Sequence, residues 1–130
     1  MDVDGPNLKN PDEGTCLLAL PTARGQVLPG SLSPKAREKC LARLKRLEDV
    51  GHELRRPEAD YLRDGIYELR ASLQGVNYRM LYFFYGRSAV VVSHGITKER
   101  EVPPREIDVA VRRKSAFESA PERYAFQRMR

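Results

Sequence analysis

Five side chains would do chemistry if the chain folds them together: Glu68, Arg70, Arg79, His94 and Lys98. The turns around them set their spacing. Gln74-Gly75 has the composition of a two-residue hairpin loop. With that loop, Leu73 faces Val76, Arg70 falls opposite Arg79, and Glu68 falls opposite Leu81. Two arginines directly opposite on one face repel. An anion bridging them removes that cost, and two planar guanidinium forks on a sheet floor suit a phosphate. The other outcome is that Glu68 or another carboxylate pairs with one arginine and nothing further binds. Lys98 follows the last apolar strand and belongs to the same region. His94 precedes Gly95 at a strand end, either as an acid or base working near neutral pH or as a half-buried packing group. His52, beside Gly51, reads as a surface group at a helix end.

The elements that must hold these residues are legible in outline. Ser33 and Pro34 form a helix start, Ala36, Cys40, Leu44 and Leu47 recur at spacings of three and four with Leu41 widening the stripe, and Gly51 stops the helix. Its other face carries Lys35, Arg37, Lys39, Arg43, Lys45 and Arg46, which is either a solvated face or a grip on nucleic acid. Asp64-Gly65 introduces a strand over residues 66–71. Residues 77–85, rich in aromatics and apolar on both faces from Met80 onward, read as a central strand, and residues 89–93 as a short valine-rich one. Three strands joined by tight turns predict an antiparallel meander. Pro103-Pro104 opens a second helix with Ile107, Ala110, Val111, Lys114 and Phe117 facing inward. The expected fold class is α+β, a small antiparallel sheet packed against N-terminal and C-terminal helices. Residues 1–30 read as a poorly structured extension, 31–120 as the folded domain and 121–130 as a flexible tail. Within the extension, the apolar patch Cys16–Leu20 is either a strand or a single helical turn.

Composition bounds the function. The chain has 130 residues, room for one domain with a real core. It carries a net charge of +5 and a pI near 9.4. Residues 1–30 carry −2, so the remainder carries +7, mostly as arginine. A basic domain of this kind favours a polyanionic partner such as nucleic acid, a ribosome or an acidic protein. Two cysteines make no disulfide scaffold and lack metal-ligand spacing. With no secretory leader pattern and no run of about 18 apolar residues, the expected setting is the cytoplasm, away from membranes. Gly-rich phosphate loops, zinc motifs, paired-carboxylate motifs and serine-nucleophile signatures are missing, so no cofactor is expected.

Four segments occur in a fixed order: Leu62-Arg63-Asp64-Gly65-Ile66-Tyr67-Glu68-Leu69-Arg70, then Tyr78-Arg79-Met80-Leu81-Tyr82-Phe83-Phe84, then His94-Gly95-Ile96-Thr97-Lys98, then Pro103-Pro104-Arg105-Glu106-Ile107. The series resembles the phage-derived branch of the RelE/HigB toxin family, within the RelE/ParE superfamily, over residues 32–117 or so. The resemblance implies the toxin of a type II toxin–antitoxin pair, neutralised by a helix-turn-helix antitoxin. It implies a ribosome-dependent endoribonuclease that cuts mRNA in the A site without a metal, by attack of the 2′-hydroxyl on the adjacent phosphate. By the same resemblance Arg79, Arg70 and Lys98 contact the phosphate and its transition state, and Arg79→Ala is expected to abolish toxicity without unfolding the chain. Family members begin with a β-strand that joins the sheet, for which residues 1–30 offer no clear counterpart. RelE carries a tyrosine near its C-terminal end, whereas Glu101–Ile107 holds none, which leaves His94 and Glu68 as candidates for proton transfer. Alternatives within the superfamily are a ParE-like gyrase inhibitor and a non-catalytic member that only binds its antitoxin.

Overall fold

The computed structural model describes residues 16–20, 32–87, 89–97 and 100–124. Its order is β1 (Cys16–Ala19), α1 (Pro34–Val50), β2 (Ala59–Arg63), β3 (Ile66–Leu73), β4 (Val76–Tyr85), β5 (Ala89–Thr97) and α2 (Pro104–Ser119). Short 3-10 turns follow α1 and α2 at Gly51–Glu53 and Pro121–Tyr124. The strands form one sheet in the order β1-β5-β4-β3-β2. The fold is α+β, with one helix on each face of the sheet.

Four strands run antiparallel, as the turns require, but β1 lies parallel to β5, with Cys16 beside Ala89 and Ala19 beside Val92. The sheet is therefore mixed rather than wholly antiparallel. Cys16–Leu20, inside the segment expected to be poorly structured, supplies the edge strand that the sequence did not reveal. Four residues are too few to show a period. Burial decides instead: Cys16, Leu17, Leu18 and Leu20 are all buried, because an edge strand between two helices packs on both faces. The rest of residues 1–30, including the first dozen, and residues 125–130 lie outside the described residues.

β2 is the second strand that the sequence pattern hid. Only Ala59 of its five residues is buried, as suits a short, charged edge. Its turn partner was the available signal. Asp64 and Gly65 take φ of 52° and 80°, and Gln74 and Gly75 take 52° and 81°. Two consecutive left-handed residues make the tight turn that joins antiparallel strands, so a strand must precede Asp64-Gly65 as surely as one follows it.

Ser33 caps α1 by accepting a hydrogen bond from the Ala36 N–H at 3.1 Å. Ala36, Cys40, Leu44 and Leu47 are buried, whereas Leu41 is 45% exposed and does not widen the stripe. This face packs on Leu69, Ala71, Met80, Tyr82, Val90 and Val92. α2 buries Ile107, Ala110 and Phe117 against Ile66, Leu81, Phe83 and Val91 on the opposite face. Burying each large apolar side chain contributes roughly 1.5–3 kcal/mol. Lys114 is not part of that stripe. Its stem lies over Gly65, where a Cβ would stand 3.1 Å from Lys114 Cε, and its ammonium pairs with Glu118 at 3.0 Å.

Candidate functional site

The β3–β4 hairpin has the register its turn demands: Leu73 opposite Val76, Arg70 opposite Arg79, Glu68 opposite Leu81. Alternate residues of a strand share a face, so Glu68 and Arg70 stand side by side on the α2 face, with Arg79 across from them. α2 covers the middle of that face and leaves this end to the chain preceding it. The Arg100 carbonyl accepts from Arg79 Nη2 at 2.6 Å, and Val102 is buried in the adjoining core.

Glu68 removes the repulsion between the two arginines. Its Oε1 accepts from Arg79 Nη1 at 2.7 Å, and its Oε2 accepts from Arg70 Nη2 at 2.5 Å and Nε at 2.9 Å. Glu68 is only 3% exposed. A buried carboxylate must be paired and hydrogen-bonded to persist, and both of its oxygens are. The bridging anion is thus a side chain of the protein, and it holds both arginines. Arg70 Nη2 also reaches Asp60 at 3.3 Å, and Asp60 pairs with Arg56 at 2.9 Å. Charges alternate along Arg56, Asp60, Arg70, Glu68 and Arg79, from the loop before β2 to the centre of the sheet. Asp60's carboxyl is held below its ordinary value, first by the hydrogen bond from Arg56.

The two arginines differ in what they offer. Arg79 is buried, and both terminal nitrogens are engaged by protein acceptors. Arg70 is 34% exposed, and its Nη1 has no acceptor among the described residues. Arg79→Ala would open a buried void and strip Glu68 of one partner, so it tests folding as much as the site. Arg70→Ala leaves Glu68 with Arg79 and Asp60 with Arg56.

Two adjoining clefts share Arg70, Asn77 and Arg79. The smaller, about 380 Å³, is lined by Lys39, Arg43, Arg70 and Arg79 among others, and by no carboxylate. The larger, about 620 Å³, includes Asp60, Glu68, Arg100 and Glu101. Arg43 is anchored by Glu58 at 2.6 Å, which also holds Arg46 at 3.0 Å. This concave, mostly cationic surface is built to take an anion.

His94 is not brought to this cleft. A register shift after Leu81 places His94 opposite Leu81, leaves Ser93 as an extra residue, and turns the ring toward α2. Its Nε2 lies 2.8 Å from Glu106 Oε1 and its Nδ1 2.8 Å from Ser93 Oγ. Lys98 lies outside the described residues. His52 is exposed, with its ring stacked on Phe84 at 3.7 Å. Sequence reasoning missed Asp60, Arg56 and Asn77. A simple register from Asp64-Gly65 puts Asp60 opposite Leu69. The bulge between Tyr61 and Arg63 shifts it to Glu68 and onto the site face.

Among curated proteins no match to this chain is found. A family model does match: Phage derived protein Gp49-like (DUF891), over residues 30–115. That span holds α1, β2 to β5 and most of α2, and with them Glu68, Arg70, Arg79 and His94. It covers more than half of the chain, and the chain belongs to the phage-derived Gp49-like family.

Proposed function

We propose that this protein is the toxin of a toxin–antitoxin pair, of the RelE/HigB kind within the RelE/ParE superfamily, and that it acts in the cytoplasm by cutting ribosome-bound mRNA. A helix-turn-helix antitoxin neutralises it. The observation that carries this reading is Arg70: a pre-positioned guanidinium with a nitrogen to spare, at the junction of two cationic clefts.

The chemistry is in-line transfer within RNA. The 2′-oxygen attacks the adjacent phosphorus and loses its proton, the bond to the 5′-oxygen breaks, and that oxygen takes up a proton. Arg70 binds the phosphate and stabilises the charge that builds on the phosphorane. Lys39 and Arg43 hold the flanking backbone. Glu68 and Arg79 touch no RNA. They are positioning residues that fix Arg70 before substrate arrives. Removing a single charge-stabilising donor costs about 10²–10³ in rate. In a reconstituted translation reaction, Arg70→Ala should cut mRNA slower by about that factor with an unchanged melting temperature. Cleavage at the wild-type rate would refute the assignment.

One observation favours a binding-only alternative. Among the described residues, no group in the cleft is set for proton transfer. Glu68's oxygens are both taken, Asp60 is held ionised, and His94 faces Glu106. A gyrase inhibitor or an antitoxin-binding relic would arrest growth, or fail to, without cutting RNA.

A further inference from the structure

The α1 face of the sheet carries an aromatic row that the anion cleft does not use. His52 stacks on Phe84, Phe84 meets Tyr82 and Tyr67, Tyr67 stacks on Tyr82 at 5.3 Å, and Tyr61 closes the row at 5.1 Å from Tyr67. The row runs from buried Tyr82 outward and ends on edge strand β2, where Tyr61 is 53% exposed. Beside Tyr61 a cleft of about 440 Å³ opens, lined also by Tyr67, Arg55, Arg56 and Asp60.

Both walls of this cleft are fixed. The Tyr61 hydroxyl accepts from the Gly65 N–H at 3.1 Å, which pins the ring. Arg55 Nη1 donates to the carbonyls of His52 and Leu54, which pins its guanidinium. A planar ring and planar cations around an open slot are the surroundings a nucleobase takes, by stacking and by cation–π attraction. Asp60 lines this slot and also the larger cleft around Arg70, so the two join around the β2 edge.

We infer that the slot beside Tyr61 seats an unpaired base of a single-stranded RNA whose backbone lies on Arg70. The inference rests on the RNA reading above and adds to it a base subsite. Stacking supplies affinity with little preference among bases, because every base has a π-face.

The test uses the whole folded chain, which contains no tryptophan, and a single-stranded RNA hexanucleotide with 2-aminopurine walked along its length. At one position the probe's emission should be quenched on binding. Tyr61→Leu should abolish that quenching and weaken binding about tenfold, while Tyr61→Phe, which keeps the ring, should bind within about twofold of wild type. An abasic site at the same position should cost the wild type the same factor and cost Tyr61→Leu nothing more. Arg70→Ala should weaken binding in a salt-dependent way at every probe position. If Tyr61→Leu binds as tightly as wild type, or the abasic oligomer does, the base subsite is wrong. A persisting Arg70 dependence would then leave the RNA reading standing. If the wild type binds no oligomer at millimolar concentration, the subsite is also wrong, and mRNA cleavage on ribosomes decides the function separately.

Discussion

Glu68 is the residue on which the site turns. It is buried, and it is the only carboxylate hydrogen-bonded to both Arg70 and Arg79 among the described residues. Glu68→Gln swaps an anion for a neutral amide and leaves Arg79 as a buried cation without a counter-charge. Breaking a buried ion pair costs about 3–5 kcal/mol, so urea denaturation of Glu68→Gln should show a loss near the lower figure, since the amide oxygen still accepts one bond. Asp60 gives a pH signature of known sign. Its folded value is depressed, chiefly by the Arg56 hydrogen bond, from an ordinary 3.8. The stability it contributes is present above that ordinary value and is lost as pH falls through the depressed one. Asp60→Asn should therefore reduce the drop in melting temperature between about pH 5 and pH 2. An undiminished drop would mean that Asp60 does not sense Arg56. The pairing of Arg70 with Arg79 was legible because Gln74-Gly75 admits one tight turn and hence one register. That Glu68 bridges both arginines is decided by burial, which a sequence does not display.

At the scale of elements, α2 connects packing to the site. Phe117 is fully buried and sets its ring against Phe83 at 5.8 Å and Tyr85 at 5.0 Å. The segment leading into α2 supplies the Arg100 carbonyl that holds Arg79. Phe117→Ala should cost about 3–5 kcal/mol in a thermal or urea melt, as truncations of buried aromatic side chains do. A loss under about 1 kcal/mol would show α2 to be a loose cover rather than a structural face of the sheet. Both helices were readable from caps and period: Ser33-Pro34, Pro103-Pro104 and the spacing of Ala36, Cys40, Leu44 and Leu47. The two edge strands were not. β1 is too short to show alternation, and β2 is charged because an edge must be, with a bulge that breaks its register. Asp60 and Arg56 were lost with β2, and with them the outer half of the charge ladder.

For the whole molecule, the positive charge that composition announces is organised rather than spread. Lys39 and Arg43 from α1 meet Arg70 and Arg79 from the sheet around one concavity, while Glu58, Glu68 and Asp60 fix arginines in place. Among the described residues no helix is long and apolar enough to cross a membrane. Membership of the Gp49-like family and this cationic cleft together support the toxin reading. Its central claim is that Arg70 stabilises cleavage of mRNA on the ribosome. The most direct test is inducible expression of wild type and Arg70→Ala, with mRNA 5′ ends mapped across the transcriptome and both proteins checked for equal melting temperatures. The account predicts new 5′ ends within translated codons for wild type and their disappearance in Arg70→Ala. The same ends in both proteins, or growth arrest by wild type with no new ends and a loss of DNA supercoiling, would contradict it.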